Sequence, residues 1–293
     1  MNNFIKSPFK YTGRKHSILD QIIPHFPDLK EHKTFVDVFA GSGDVSINIP
    51  KDIDIIWNDI QTPLISCFIE LHQYSNHIEQ VKKNGCLEVP LSLNMKSYCE
   101  TKEAYYEIRK RYNEFPTACN LLMLSYMSFN NMVRFNSKDK FNVPYGNRTF
   151  SEEDLTILDQ FVEALQDRYI YFCSLEFDVL IDRILNNYSK SEVKPFLYLD
   201  PPYLITSAPY SRYWNQDKER LLYQRLNELS NNGFKWALSN VIEHNGKEND
   251  ALSWFLSIEE DRTKVIEINK SYNFSSGRKR NKKESREILV LNY

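Results

Sequence analysis

Apolar residues along this chain change their spacing twice. Between Thr34 and Asp59 they fall in short runs separated by turn residues. Phe35-Val36-Asp37-Val38-Phe39 reads as a buried strand, Ala40-Gly41-Ser42-Gly43 as a turn opening a short helix, and Ile53-Asp54-Ile55-Ile56-Trp57 as a second strand closed by Asn58-Asp59. Strand, glycine loop, helix, strand and acid is the opening of a doubly wound sheet. From about Leu64 to Met127 the spacing becomes helical: Ile65, Phe68, Ile69 and His72 share a face, and Tyr105, Ile108 and Tyr112 continue the pattern. Residues 130–149 are polar and loop-like. After Ser151 the short runs return, at 169–173, at 195–199 and at 234–238, the last ending in Ser239-Asn240; 265–268 and 288–291 read as a terminal strand pair. The pattern predicts an α/β sheet formed by residues 1–63 and 151–293, with a mostly helical segment, 64–150, inserted into it.

Composition narrows the class. The 293 residues carry 37 Lys and Arg against 39 Asp and Glu, with 42% hydrophobic and 26% charged residues. That balance excludes a disordered or fibrous chain, and the length suffices for a full core. No apolar run approaches the roughly 18 residues of a membrane span, and the start, Met1-Asn2-Asn3-Phe4-Ile5-Lys6, has no apolar signal core; a cytoplasmic protein without a membrane partner is expected. Cys67, Cys86, Cys99, Cys119 and Cys173 form no tight pairs and the histidines show no ligand spacing, so neither a disulfide framework nor a metal site is expected. Cys173 and Phe129 are expected in the core. The net charge of −2 provides no global attraction to nucleic acid but permits a local basic face.

Four segments carry candidate chemistry. In Asp37–Gly43, glycines at a strand end let the backbone approach a ligand, and without the third glycine of a dinucleotide loop the segment suits a nucleoside lacking a pyrophosphate; Asp59, after the next strand, can accept both ribose hydroxyls. A plain tight turn has the same residues. In Asp200-Pro201-Pro202-Tyr203, two prolines remove N–H donors and leave carbonyls and a carboxylate as a fixed acceptor array, which suits an exocyclic amino group, with Tyr203 a flat face for an extruded base. A Pro-rich turn with Asp200 as a cap is the alternative. Lys10-Tyr11-Thr12-Gly13-Arg14-Lys15 can hold a carboxylate or be a solvated charge cluster. Arg134, Lys138, Lys140, Arg148 and the 278–283 basic run suit phosphates and guanine edges, or are two solvated loops.

The order of these segments resembles DNA adenine methyltransferases of the Dam type (the D12 class, alpha group) over nearly the whole chain. The resemblance implies a Rossmann-like S-adenosylmethionine-dependent methyltransferase sheet with an inserted target-recognition domain at 64–150, whose DNA-reading hairpin is 130–149. It implies that Tyr11, Lys15, Asp37, Phe39, Gly41, Gly43, Asp59, Phe177 and Asp200 bind S-adenosylmethionine, with Asp37, Phe39, Gly41 and Gly43 around its methionine part, Asp59 on the ribose and Phe177 beside the adenine. Asp200, Pro201, Pro202 and Tyr203 match the catalytic motif. Lys10, Asn131, Arg134, Asn136, Pro144 and Arg148 match DNA contacts, with Arg148 as a guanine reader. Asp44 departs from the family's loop, where a neutral residue is expected; it adds negative charge near the sulfonium or caps the following helix.

The implied activity is methyl transfer to adenine N6 in a flipped base of a short palindromic duplex site, GATC by the likeness of the hairpin. The implied partners are double-stranded DNA and a restriction endonuclease of the same system, with the enzyme itself a monomer. Competing readings are transfer to cytosine N4, RNA adenine or a protein amide, a nucleotide-dependent Rossmann oxidoreductase, and a DNA-binding module without catalysis.

Overall fold

The computed structural model describes residues 4–10, 13–83, 101–148, 151–206, 214–269 and 285–293. In chain order the elements are α1 (Leu19–Ile22), α2 (Leu29–His32), β1 (Thr34–Asp37), β2 (Asp54–Asn58), α3 (Thr62–Lys83), α4 (Lys102–Glu114), α5 (Ala118–Met127) and α6 (Glu152–Leu165). They continue with β3 (Ile170–Cys173), α7 (Phe177–Tyr188), β4 (Phe196–Leu199), α8 (Gln216–Asn231), β5 (Trp236–His244), β6 (Lys247–Glu248), α9 (Asp250–Ile258), β7 (Lys264–Ile268) and β8 (Ser285–Leu291). The chain forms two compact units: 1–16, 40–51 and 61–174 make the first, and 17–39, 52–60 and 175–293 the second. Among the described residues no helix is long and apolar enough to cross a membrane.

The second unit is the α/β part. Its strands run in the order β2-β1-β4-β5-β8-β7, with β6 folded back on β5. β1 pairs in parallel with β2 and β4, and β4 in parallel with β5. β8 is antiparallel to both β5 and β7, the predicted terminal pair. All four residues of β4 are buried, as a strand covered on both faces requires. β5 is longer than its apolar run: it continues through Ser239 and Asn240 to His244, paired with β8 across an irregularity between Val241 and Glu243. The two polar residues are tolerated there because their side chains are bonded, Ser239 to the Tyr198 hydroxyl at 2.8 Å and Asn240 to Glu219 at 3.0 Å.

The first unit is mostly helical. Thr101 caps α4 by accepting from the Ala104 backbone, and the face Tyr105, Ile108, Tyr112 is buried as its spacing predicts. α5 is buried at every position but one, consistent with a sequence that is apolar all round. Ser151 and Asp154 form a reciprocal capping box at the start of α6. The Arg168 guanidinium, itself buried, donates to the carbonyls of Ala164 at 2.7 Å, Ile49 at 2.7 Å and Ile47 at 3.0 Å, so three backbone acceptors at or near element ends are satisfied by one planar donor set. β3 belongs to this unit and departs from expectation: Cys173 is half-buried rather than buried, and Tyr169 and Tyr171 are exposed.

The second unit has a polar centre of its own. Glu219, fully buried on α8, accepts from the Tyr223 hydroxyl at 2.5 Å, from Asn240 and Asn249 at 3.0 Å each, and from the Trp214 indole. Four donors from α8, β5, the start of α9 and the segment before α8 converge on one carboxylate. Glu219→Ala leaves them facing a void, each at about 1–3 kcal/mol for an unmet buried group. We expect unfolding in urea to show a loss of about 3–5 kcal/mol for Glu219→Ala, and a smaller one for Glu219→Gln, which keeps one acceptor. An unchanged midpoint for the alanine variant would refute this role.

Candidate active site and nucleic-acid face

In the second unit, β1 lies between β2 and β4, so the connection order reverses beside β1. Such a switch point opens a crevice outside the carboxyl ends of the strands. The β1–β4 register runs to Asp37 opposite Tyr198, and the Val38 amide then donates to the Tyr198 carbonyl at 3.0 Å. Phe39 and Asp200 each follow two residues past that rung. Asp37 is buried, and so is Asp59 just past β2.

Asn58 shapes this edge. Its carboxamide donates to the Val38 carbonyl at 2.9 Å and the Leu175 carbonyl at 3.1 Å, and accepts from the Leu175 amide at 2.9 Å. It ties the ends of β1 and β2 to the entrance of α7, whose first residue is Phe177. The rings of Phe39 and Phe177 lie 5.7 Å apart, and Trp214 completes the cluster at 5.6 and 5.4 Å from them. Sequence reasoning placed Phe39 and Phe177 here but missed Trp214 and Asn58. Neither has a motif signal; Trp214 is fixed by Glu219, five residues on.

Asp200-Pro201-Pro202-Tyr203 follows β4 directly. The Tyr203 carbonyl is taken up by a turn, accepting from the Thr206 amide at 3.2 Å and hydroxyl at 3.0 Å. The Tyr203 hydroxyl lies 3.1 Å from Asp200 Oδ1 and 2.8 Å from Oε1 of Glu287, a buried residue of β8. Burial, with the charges of Asp200 and Glu287, pushes the Tyr203 phenol well above its ordinary pKa. Tyr198 is pushed up in the same way, by burial first and then by Asp200, Asp37 and Glu287. Three acidic side chains therefore lie around Tyr198. Glu287 was missed: it ends the polar stretch Glu284-Ser285-Arg286-Glu287 just before Ile288-Leu289-Val290-Leu291, where nothing in the sequence marks it as buried.

In the first unit, Gly41 and Gly43 have φ of 51° and 78°, the left-handed region that glycine enters without strain. Gly43 N–H closes the turn on the Ala40 carbonyl at 2.8 Å. Asp44 neither caps the short 3₁₀ turn Ser46–Asn48 nor stands open to solvent. It accepts from the Ser7 amide at 3.0 Å and the Ser42 hydroxyl at 2.8 Å, with Arg14 Nε at 3.5 Å. It is a staple between the N-terminal segment and the glycine loop. Lys15 is buried, its ammonium 3.4 Å from the Gly13 carbonyl. Tyr11 and the 278–283 basic run lie outside the described residues.

Residues 128–148 form a hairpin-like loop held by bridges Ser128–Tyr145 and Phe135–Phe141. Phe135 and Phe141 are buried beside Tyr112, and the Tyr105 hydroxyl donates to the Val143 carbonyl at 2.8 Å, so α4 supports the loop. Arg134 Nε donates to Asn142 Oδ1 at 2.9 Å, and Arg148 Nη1 to Asn131 Oδ1 at 2.7 Å. The Asn136 side-chain oxygen accepts from the Lys138 and Lys140 amides at 2.9 and 3.1 Å, which builds the tip. Pro144 is exposed, and its carbonyl accepts from the Phe129 amide at 3.0 Å. Phe129 is not a core residue: it is 50% exposed. It precedes Asn130 and Asn131, whose φ of 54° and 53° turn the chain sharply. Lys10 is ion-paired with Asp154 and lies 5.9 Å from the Tyr126 ring centre. Burial pushes the Asp154 carboxyl up, but hydrogen bonds from Lys10 and the Ser151 backbone outweigh it and hold the pKa below its ordinary value.

The family model of D12 class N6 adenine-specific DNA methyltransferases matches residues 11–283. Among curated proteins, the chain is 33% identical over 306 residues to the type II methyltransferase M.FokI of Planomicrobium okeanokoites, covering all of this chain and 43% of that protein. It is 36% identical to the modification methylase StsI of Streptococcus sanguinis, covering 99% of this chain and again 43% of the relative. A DNA adenine methylase of Vibrio cholerae is 28% identical over 70% of this chain and 68% of its own length. The chain thus spans less than half the length of the first two relatives.

One glycine of the loop tests its packing. A Cβ on Gly146 would lie 2.4 Å from the Ser128 carbonyl oxygen and 2.8 Å from the Phe129 nitrogen, both backbone. We expect Gly146→Ala to force the two arms apart, costing about 1–3 kcal/mol and exposing the Gly146 amide, which donates to the Met127 carbonyl at 2.8 Å, to faster hydrogen exchange. Unchanged exchange at residue 146 would contradict this.

Proposed function

The chain belongs to the D12 class of N6 adenine-specific DNA methyltransferases, and from that premise we propose that it transfers a methyl group from S-adenosylmethionine to adenine N6 in a short palindromic duplex site, GATC by the likeness of its hairpin. The observation that carries the reading is the Asp200–Tyr203 acceptor array, directly past the last β1–β4 rung at the switch point of the sheet.

The residues suit this donor. Asp59 offers a carboxylate for a ribose diol, Phe39 and Phe177 an aromatic wall for an adenine, and Asp37 and Asp200 an acidic edge that favours a cation. Gly41 and Gly43 allow close backbone approach, and Tyr11 and Lys15 are assigned to the same ligand. When bound, S-adenosylmethionine supplies an electrophilic methyl group on a sulfonium.

The protein's task is to make a poor nucleophile attack. The adenine amino lone pair is delocalised into the ring. The Asp200 carboxylate and the Pro201 carbonyl would accept its two protons and favour a pyramidal nitrogen with a localised lone pair. Aimed acceptors and alignment then account for the acceleration. Asp200 would take up the proton that the nitrogen sheds. The Tyr203 ring would lie against the flipped base.

Target choice is assigned to residues 64–150, with 130–149 as the reading hairpin. Arg148, exposed and oriented by Asn131, is assigned to a guanine edge, and Arg134, oriented by Asn142, to a phosphate or guanine. Asn136 and Pro144 are assigned to the same surface, and Lys10, now paired with Asp154, to the first guanine after exchange of that partner. Double-stranded DNA is the proposed partner, with a restriction endonuclease in the same system, for a monomeric cytoplasmic enzyme.

Long-read sequencing of plasmid DNA from a methylation-deficient host expressing the chain tests the reading. Methyladenine at every GATC is the expected result; methyladenine elsewhere overturns the site, and none overturns the acceptor. Asp200→Ala is expected to reduce turnover by about 10²–10³-fold or more, with a far smaller change in S-adenosylmethionine affinity by calorimetry. Arg148→Ala is expected to cost about 1–3 kcal/mol at one guanine and relax choice there. Uniform weakening on all sequences would make Arg148 a phosphate contact instead.

A further inference from the structure

Three oxygens meet at the Tyr203 hydroxyl with too few protons between them. Oη lies 3.1 Å from Asp200 Oδ1 and 2.8 Å from Glu287 Oε1. A phenol carries one proton, and an ionised carboxylate only accepts. With both acids ionised, one of these contacts would press lone pairs together where water is scarce. One additional proton resolves the arrangement. Of the two acids, Glu287 is the more deeply buried, at 2% exposure, whereas Asp200 is partly exposed at the open strand edge. Removing a charge from the more buried site costs least. Among the described residues, Tyr198 of β4 also acts on this hydroxyl, and its own hydroxyl is bonded to Ser239 at 2.8 Å.

We propose that Glu287 is a positioning residue of the methyl-transfer site: its protonated carboxyl donates to Tyr203 Oη, and Tyr203 donates to Asp200 Oδ1. This rests on the reading of Asp200–Tyr203 as the amino-group site. The chain of two hydrogen bonds fixes the plane of the Tyr203 ring and turns Oδ1 of Asp200 toward the phenol. The negative charge stays on Asp200, where an amino group needs an acceptor. Glu287 is held in register by β5 and β7, opposite Val241 and Ile268, so the anchor lies on two strand pairings rather than on a loop. Because it acts on the orientation of reacting groups, its loss falls on turnover rather than on substrate binding.

The test is tritiated methyl transfer to plasmid DNA by the full chain and its variants. Glu287→Leu is expected to lower kcat by about tenfold or more, with KM for DNA and for S-adenosylmethionine within about twofold. Glu287→Gln, whose amide donates to Oη as the acid does, restores kcat to within about threefold of the parent enzyme. In a Tyr203→Phe background, Glu287→Leu causes no further loss, because the hydroxyl it acts through is gone. A fluorine at ring position 3 of Tyr203 gives a readout that needs no activity: its NMR resonance moves in Glu287→Leu and not in Glu287→Gln. The proposal is overturned if the Leu and Gln variants are equally impaired, if the losses in the double variant multiply, or if the fluorine resonance ignores Glu287→Leu. A parent enzyme that labels no adenine sinks the proposed function instead, and the fluorine resonance alone then decides the hydrogen-bond chain.

Discussion

The rung that sets Asp37 opposite Tyr198 is the constraint on which the second unit depends. Parallel pairing of β1 with β4 places the ends of two strands, far apart in sequence, side by side at one edge. Every group assigned to chemistry in that unit leaves from this edge or is tied to it: Phe39 and Asp200 just past the rung, Asp59 past β2, Glu287 on antiparallel β8. A shift of one residue in this register would put Phe39 and Asp200 on opposite faces relative to their present arrangement.

Buried polar groups hold this arrangement in place. Asn58 satisfies three backbone groups at the strand ends, Glu219 gathers four donors, and Glu287 meets the Tyr203 hydroxyl. Each would be costly unpaired, so each restricts its neighbours to few geometries. Trp214 shows the consequence. It packs on Phe39 and Phe177 because its indole N–H is claimed by Glu219 five residues later.

The first unit applies the same logic to an exposed surface. Its arginines are not loose charges. Arg134 and Arg148 are each oriented by an asparagine across the loop, so each side chain is held in a defined direction. The aromatic pair Phe135 and Phe141 anchors the loop against α4, while Phe129 leaves its ring in solvent. Asp44 illustrates a residue whose type suggests ligand chemistry and whose partners are structural: its hydrogen bonds go to Ser7 and Ser42.

Much of this was legible in the residues. Apolar runs located β1, β2 and β4, because a buried parallel strand must be apolar on both faces, and also the antiparallel terminal pair. The left-handed turn at Gly41 and Gly43 and the acceptor array of Asp200-Pro201-Pro202-Tyr203 follow from what glycine and proline do to their own backbone. These are local properties, fixed by a residue and its immediate neighbours. What the tertiary structure alone decided is partnership across distance. That β5 continues through Ser239 and Asn240, that Asp44 is a staple, that Phe129 is exposed, and that Glu287 reaches Tyr203 across 84 positions all depend on strand order and packing. The cost of a buried polar group is set by the group brought opposite it, and no local pattern in the chain specifies that group.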